Sequence, residues 1–490
     1  MKNKLNLFQK SLISIIIFFI VILLIFFNEL EISDELWNFQ NIFKMSNGFL
    51  IYKDANVIVT PIFFYIGNIL FKILGSTIIT FRFYNILIFS LLYFITFKIL
   101  QNLKISKHLS FLYLSLIFLQ TFSIVTAGAN YNTLAIAFVL LGINLYIKGI
   151  SPIYQGIIAF LVFFTKQNIG IYYIIATIIY DLYTHKISKK FFMHQLTKLL
   201  LFVVSSATII LKLYLDGVLP DFINYAFGGL FEFGQNNISF SASIYQVVLF
   251  LTSIILYIFI IVKKNTIFKT IITKDVFKNL TFLIIFTCFI SIIIYPIANG
   301  AHFLFAMPLH LIFIFYLLDV LILNELYGDK KYALNAIWIC SIILMAVIIR
   351  IGFNYFENIN KCSYIKDSSS PFNRILLSNE EIEKKFVIKN YIKEKNEKGI
   401  DVIIFSYDSA IPMIELKQSH GVYDLLFNGN LGYNGKENIK KDILSRKNTE
   451  FLVVTDEKDI FLQEPPEIRE YIMKNLNYRG EICNYSIYSK

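Results

Sequence analysis

Four acids, Glu29, Glu31, Asp34 and Glu35, fall within seven residues directly after the apolar run SLISIIIFFIVILLIFF. A carboxylate at such a boundary can act as a general base on a substrate hydroxyl brought within hydrogen-bond reach. Further along, Arg82 closes the segment STIITFR, Lys166 and Gln167 lie in TKQN, and His302 opens the apolar run after YPIANGAH. Each cationic or cation-capable group adjoins an apolar run, where ionisable side chains are costly and mark function by default. Each also has an ordinary explanation. Arg and Lys snorkel to headgroups, a lone histidine is usually satisfied locally, and Tyr295 suits an interfacial anchor. As a set they combine a candidate base, Asp34 or Glu35, with groups able to hold an anion. Glu29 and Glu31 read as solvating the end of the preceding run.

The chain that must position these residues has 490 residues, 56% of them hydrophobic and 17% aromatic, with a mean hydropathy of +0.62. Apolar runs begin near Ser11, Phe83, Ser110, Thr133, Ile153, Ile169, Leu199, Ile244, Leu280, Phe303 and Ala333. That pattern is a polytopic α-helical membrane protein. The formal charge of +11 needs no nucleic acid partner, because membrane proteins concentrate Lys in cytoplasmic loops.

A further candidate, PIFFYIGNILFKIL from Pro61 to Leu74, is short and interrupted by Gly67, Asn68 and Lys72. The basic connectors are Lys2/Lys4/Lys10, Lys104/Lys107, Lys186/Lys189/Lys190, Lys263 to Lys278 and Lys330/Lys331. All are cytoplasmic together only if Pro61–Leu74 does not cross. It is therefore expected to be a juxtamembrane helix on the outer face. About eleven crossings follow, with the N-terminus cytoplasmic and the C-terminus extracytoplasmic. The first run has no small-residue cleavage site and is expected to be a retained helix. The domains are expected at 1–350 (membrane), 351–378 (polar linker) and 379–490, a small extracytoplasmic α/β domain. The last alternates the helical NEEIEKKFVIKNYIKEKNEKG, the strands IDVIIFS and TEFLVVT, the helix PPEIREYIMKNL and a final run EICNYSIYS. GVYDLLFNGNLGYNGKENIK reads as a turn-rich loop. No P-loop, dinucleotide fingerprint or internal repeat is present. Cys288 and Cys340 lie in apolar runs, Cys362 and Cys483 in the polar C-terminal region, and no close motif pairs them or makes a metal site.

A carboxylate base beside cations at a membrane surface suits one reaction in particular. An acceptor hydroxyl attacks a sugar carried on a lipid phosphate, the carboxylate takes the proton, and Arg or Lys holds the departing phosphate. A transporter or lipid flippase would also be polytopic, but transporters often show related halves and broken helices near the midplane. A scaffold whose tail binds an envelope polymer is a third reading.

The run ISDELWNFQNIFKMSNGFLIYKDANVIVTPIFFYIGNILFKILGSTIITFRFYN resembles the opening of the GT-C superfamily of integral-membrane glycosyltransferases, in the branch of protein O-mannosyltransferases and lipid A aminoarabinose transferases. The likeness is carried by Asp34-Glu35 after the first helix, NGFLIYKD, Pro61 and Gly75 bounding the juxtamembrane helix, and Arg82. The blocks NYNTLA, TKQNIG and YPIANGAHFLFAMPLHL look like later parts of the same branch. It covers roughly residues 1–350. The resemblance implies a polyprenyl-phosphate sugar donor, a glycan, lipid or protein acceptor, a plasma-membrane location, and a base in the first outer loop, with Asp34 leading and Glu35 its neighbour or substitute. Donor phosphate would fall to Arg82, Lys166 and His302. Substrate contacts would fall to Lys53, Asp54, Asn130, Tyr131, Asn132, Gln167 and Tyr295. Many relatives carry an acid where this chain has Asn130-Tyr131-Asn132; Asn can hydrogen-bond a sugar but cannot be a base. Relatives differ in metal dependence, so a divalent cation stays open and no ligand set is assigned.

Overall fold

The computed structural model describes residues 29–31, 34–125, 128–263, 272–323, 361–406, 410–424, 431, 435–454 and 465–490. The apolar runs at Ser11 and Ala333 lie outside these. Each of the other nine forms a helix: Ile78–Asn102, Lys107–Val125, Tyr131–Ile147, Pro152–Thr165, Gln167–His185, Lys189–Leu215, Ile244–Lys263, Lys274–Ile290 and Gly300–Leu318. Among the described residues, five helical stretches are long and apolar enough to cross a membrane: Ile78–Asn102, Lys189–Leu215, Ile244–Val262, Lys274–Ile294 and Gly300–Leu321. The Lys189–Leu215 helix leaves Leu196, Leu199, Leu200, Val203 and Val204 exposed. A continuous apolar surface of that kind is unstable in water and suits lipid. The chain is a membrane protein.

The chain divides into two compact units. One comprises Met1–Phe26, Asn85–Thr208 and Ser239–Tyr355; the other Phe27–Tyr84, Ile209–Ile238 and Phe356–Lys490. In the first unit, Tyr131–Ile147, Pro152–Thr165 and Gln167–His185 pack in succession, and Gly300–Leu318 packs on Lys107–Val125 and Lys274–Ile290. Glycine sets two of the approaches. A Cβ at Gly170 would lie 2.2 Å from Phe163 Cα, and one at Gly156 would lie 2.6 Å from the Lys198 carbonyl oxygen. Small residues are what allow helix backbones to approach this closely in a bilayer.

The second unit contains helices Asp34–Ser46 and Ile62–Leu74. The Ile62–Leu74 helix is the expected segment after Pro61. It stops at Gly75, whose φ of 97° is open to glycine without strain. Its buried face presents Phe63, Phe64, Gly67 and Phe71, while Ile69, Ile73 and Leu74 are exposed. The C-terminal segment builds a four-stranded sheet in the order Asp401–Phe405, Thr449–Val454, Tyr485–Ser489, Asn477–Ile482. The first pair is parallel and the others antiparallel. Alternate residues of the first two of these strands enter two cores. Ile403, Phe405, Phe451 and Val453 pack with Ile468 and Ile472, while Val402, Ile404, Leu452 and Val454 pack with Ile388 and Ile392. Burial on both faces is why DVIIF and TEFLVV read as continuous apolar runs.

Three expectations for this segment change. EICNYSIYS is not one run. Its start belongs to Asn477–Ile482, and the chain turns back at Cys483 (φ 50°) into Tyr485–Ser489. The stretch expected as a linker carries an antiparallel pair, Cys362–Tyr364 with Leu376–Ser378. GVYDLLFNGNLGYNGKENIK is only partly loop, because helix Gly435–Ser445 begins inside it.

Candidate active site

Helix Asp34–Ser46 starts where it does because its first turn is acidic and reciprocally capped. Glu31 Oε2 accepts from the Glu35 N–H at 2.8 Å, and the Glu31 N–H donates to Glu35 Oε2 at 3.1 Å. Carboxylates at a helix N-terminus are favoured by the exposed N–H groups and the helix dipole. Glu35 is then fixed by Arg82. Nε donates to Oε1 at 2.8 Å and Nη2 to Oε2 at 3.0 Å, with the two side chains 2% and 1% exposed. This is the planar two-bond fork that guanidinium and carboxylate form best. Arg82 Nη2 also donates to the Glu29 carbonyl oxygen at 3.3 Å.

Asp34, one residue earlier, is exposed. Two adjacent acids therefore sit in opposite environments. Glu35 accepts from Arg82 and from the Glu31 N–H, while Asp34 stands at the exposed start of the helix. Sequence reasoning placed Arg82 on the donor phosphate, whereas its side chain in this unit grips Glu35.

The far end of the same helix is held by a second buried pair. Lys44 Nζ lies 2.7 Å from Asp424 Oδ2 and donates to the Asp54 carbonyl oxygen at 3.0 Å. Ser419 Oγ and the His420 N–H also donate to Asp424 Oδ2, at 2.9 and 2.8 Å. Phe39, between these ends, packs on Phe71, Phe81 and Phe372. Of the loop residues expected to touch substrate, Asp54 accepts from the Leu50 N–H at 2.8 Å and closes a local turn, while Lys53 is exposed. Asp221 lies in the field of both. Its pKa is raised, first by partial burial, with Lys53 opposing and Asp54 adding to the shift. Asn38 and Gln40 carry no signal in the sequence and were missed there. Both are buried, and Asn38 Oδ1 and Gln40 Nε2 have no hydrogen-bond partner among the described residues. Buried polar atoms rarely go unpaired, so a water or a ligand hydroxyl is the natural complement.

The remaining candidates fall in the first unit. Asn130 is the N-cap of helix Tyr131–Ile147, its Oδ1 accepting from the Asn132 N–H at 2.7 Å. Lys166 stands at the break between Pro152–Thr165 and Gln167–His185, with extended backbone at φ −153°. Its Nζ donates to Asn132 Oδ1 and lies 5.5 Å from the centre of the Tyr131 ring. Gln167 is buried beside it. Asn299 caps Gly300–Leu318, and its Oδ1 accepts from the His302 N–H at 3.0 Å and meets His302 Nδ1 at 2.8 Å. An oxygen that accepts from both fixes the proton of a neutral ring on Nδ1, so Nε2 can donate to an anion only in the imidazolium form. His302 and Lys166 are close enough to interact electrostatically. Tyr295 is exposed. The unit thus gathers an ammonium group, an imidazole and the N-terminal ends of helices, a combination suited to a phosphate oxyanion. Among the described residues, neither set holds three His, Cys, Asp or Glu groups close enough to share a metal ion.

The architecture has counterparts among solved structures. Two crystal structures of ArnT from Cupriavidus metallidurans share it, each with a TM-score of 0.57. The one bound to undecaprenyl phosphate is 11% identical over 98% of this chain and 97% of ArnT. The apo structure is 9% identical over 100% and 98%. No family model and no curated protein matches the sequence.

Proposed function

We propose that this protein is a membrane glycosyltransferase that moves a sugar from a polyprenyl-phosphate donor to a hydroxyl acceptor on the outer face of the membrane. The observation that carries the proposal is the match of nearly the whole chain to a fold of which one crystal structure holds undecaprenyl phosphate. The acceptor oxygen attacks the anomeric carbon, Asp34 takes the hydroxyl proton, and the carbon–oxygen bond to phosphate breaks with its electron pair on the phosphate. Lys166 holds that phosphate as its charge grows, joined by His302 in its imidazolium form, in which Nε2 carries an N–H to donate. Asn132, Gln167, Lys53 and the open polar atoms of Asn38 and Gln40 are the candidates for sugar and acceptor hydroxyls. Arg82 serves by fixing the helix that carries Asp34.

The accompanying topology has eleven crossings, a cytoplasmic N-terminus, Ile62–Leu74 lying along the outer boundary and an extracytoplasmic C-terminal domain. In a background with the four native cysteines replaced by serine, an impermeant thiol reagent added outside should label Ser76→Cys and miss Ser106→Cys. The opposite pattern would invert the topology. For the donor site, titration with undecaprenyl phosphate should show Lys166→Ala binding at least about tenfold more weakly than wild type, the loss expected for one charge-assisted contact. Equal affinities would remove Lys166 from the phosphate.

A further inference from the structure

The opposite end of the helix that begins at Gln167 carries a cluster that sugar transfer does not use. Asp181 and His185 lie one turn apart near the C-terminus of Gln167–His185, and His194 lies near the start of Lys189–Leu215. The intervening connector turns at Lys186, whose φ is 51°. One ligand atom from each of the three lies within 4.8 Å of the others, and the imidazole rings are 4.9 Å apart at an interplanar angle of 86°.

The hydrogen bonds of Asp181 carry the argument further than proximity does. Its side chain is buried, and Oδ2 accepts from Gln195 Nε2 at 2.7 Å and Lys198 Nζ at 2.5 Å. Lys198 is itself held by the Tyr146 hydroxyl at 2.8 Å. Oδ1 receives no hydrogen bond among the described residues. One oxygen is thus anchored by outer partners while the carboxylate stands within reach of two imidazoles, and outer hydrogen bonds of this kind are how a carboxylate ligand is oriented around a metal. An isolated Asp–Lys pair has no need of two histidines beside it.

We propose that Asp181 Oδ1, His185 and His194 bind one divalent transition-metal ion of the zinc type, with water completing a tetrahedral shell. Bond lengths of about 2.0–2.1 Å place tetrahedral donors roughly 3.3 Å apart. The partly exposed histidines supply the needed closure by side-chain rotation, while Asp181 stays anchored. Lys190 and Lys278 lie near His185 and repel a cation, so the site binds more weakly than a zinc site built from thiolates. Bound metal would fasten the two helices at their connector. Gln167 and His185 are 18 residues apart, about 27 Å along a helix, so this ion is separate from the Lys166 end and takes no part in sugar transfer.

The test uses the full-length protein, purified without a histidine tag, stripped with chelator and titrated with zinc chloride alone. Wild type is expected to bind one equivalent saturably and to melt at a higher temperature when loaded. His185→Ala and His194→Ala should each weaken binding about tenfold or more, and the double variant should lose both the binding and the thermal shift. Both histidines are partly exposed, so these variants should fold. Absence of saturable binding by wild type, or undiminished binding by the double variant, would overturn the site.

Discussion

Asp34→Asn is expected to reduce sugar transfer by roughly 10²–10⁴-fold, the range a positioned general base contributes, while leaving the protein folded and inserted. Asparagine keeps the size of the side chain and removes only its basicity. Asp34 is exposed, so its replacement should change stability by no more than about 0.5 kcal/mol. The loss should fall on turnover and leave donor affinity intact, since phosphate recognition is assigned elsewhere. Single-turnover kinetics at saturating donor check this directly. Full activity in Asp34→Asn would remove the base from this helix altogether, because the neighbouring Glu35 is enclosed by Arg82 and the Glu31 N–H.

Glu35→Gln should behave in the opposite way, failing first in stability. Removing one partner of a buried ion pair leaves the other charge desolvated and costs about 3–5 kcal/mol. Glutamine can still accept from Arg82 through one oxygen, which puts it at the lower end of that range. The expected result is a clearly lowered melting temperature, with transfer falling because the start of the Asp34–Ser46 helix is no longer fixed. Replacing both partners together, as Glu35→Leu with Arg82→Met, should recover much of the stability, since no charge is then stranded. A Glu35→Gln protein that melts like wild type would show that the pair does not hold the helix. The contrast matters for mechanism. Adjacent acids with opposite phenotypes, one catalytic and one structural, are what distinguishes a supported base from an acidic patch that merely keeps a loop in water.

That contrast could not be read from the sequence. Asp34, Glu35 and Arg82 all stood out as ionisable groups beside apolar runs, but the partner of Glu35 lies 47 positions away. A residue list does not distinguish a base from half of an ion pair. Helix Asp34–Ser46 was equally hidden. Its buried side chains include Glu35, Asn38, Gln40, Asn41 and Lys44, so it has no apolar stripe, and the burial of Lys44 depends on Asp424 at the other end of the chain. The membrane helices were legible because in lipid the apolar run itself is the signal. Ile62–Leu74 was legible as a helix from its bounding Pro61 and Gly75. Asn130 immediately precedes an apolar helix, where Asn is a strong N-cap, and its Oδ1 caps Tyr131–Ile147. The two strands hidden in EICNYSIYS were missed because only a left-handed turn at a non-glycine residue, Cys483, separates them.

The central claim is that sugar leaves its lipid carrier on this protein. The most direct measurement reconstitutes the wild-type chain in liposomes with polyprenyl-monophosphate hexoses radiolabelled in the sugar, adds a cell-envelope fraction as acceptor, and follows label lost from the lipid. The account predicts that label passes to the acceptor while polyprenyl phosphate accumulates in equal amount. Labelled lipid that stays intact and moves from one leaflet to the other would contradict it and identify a transporter.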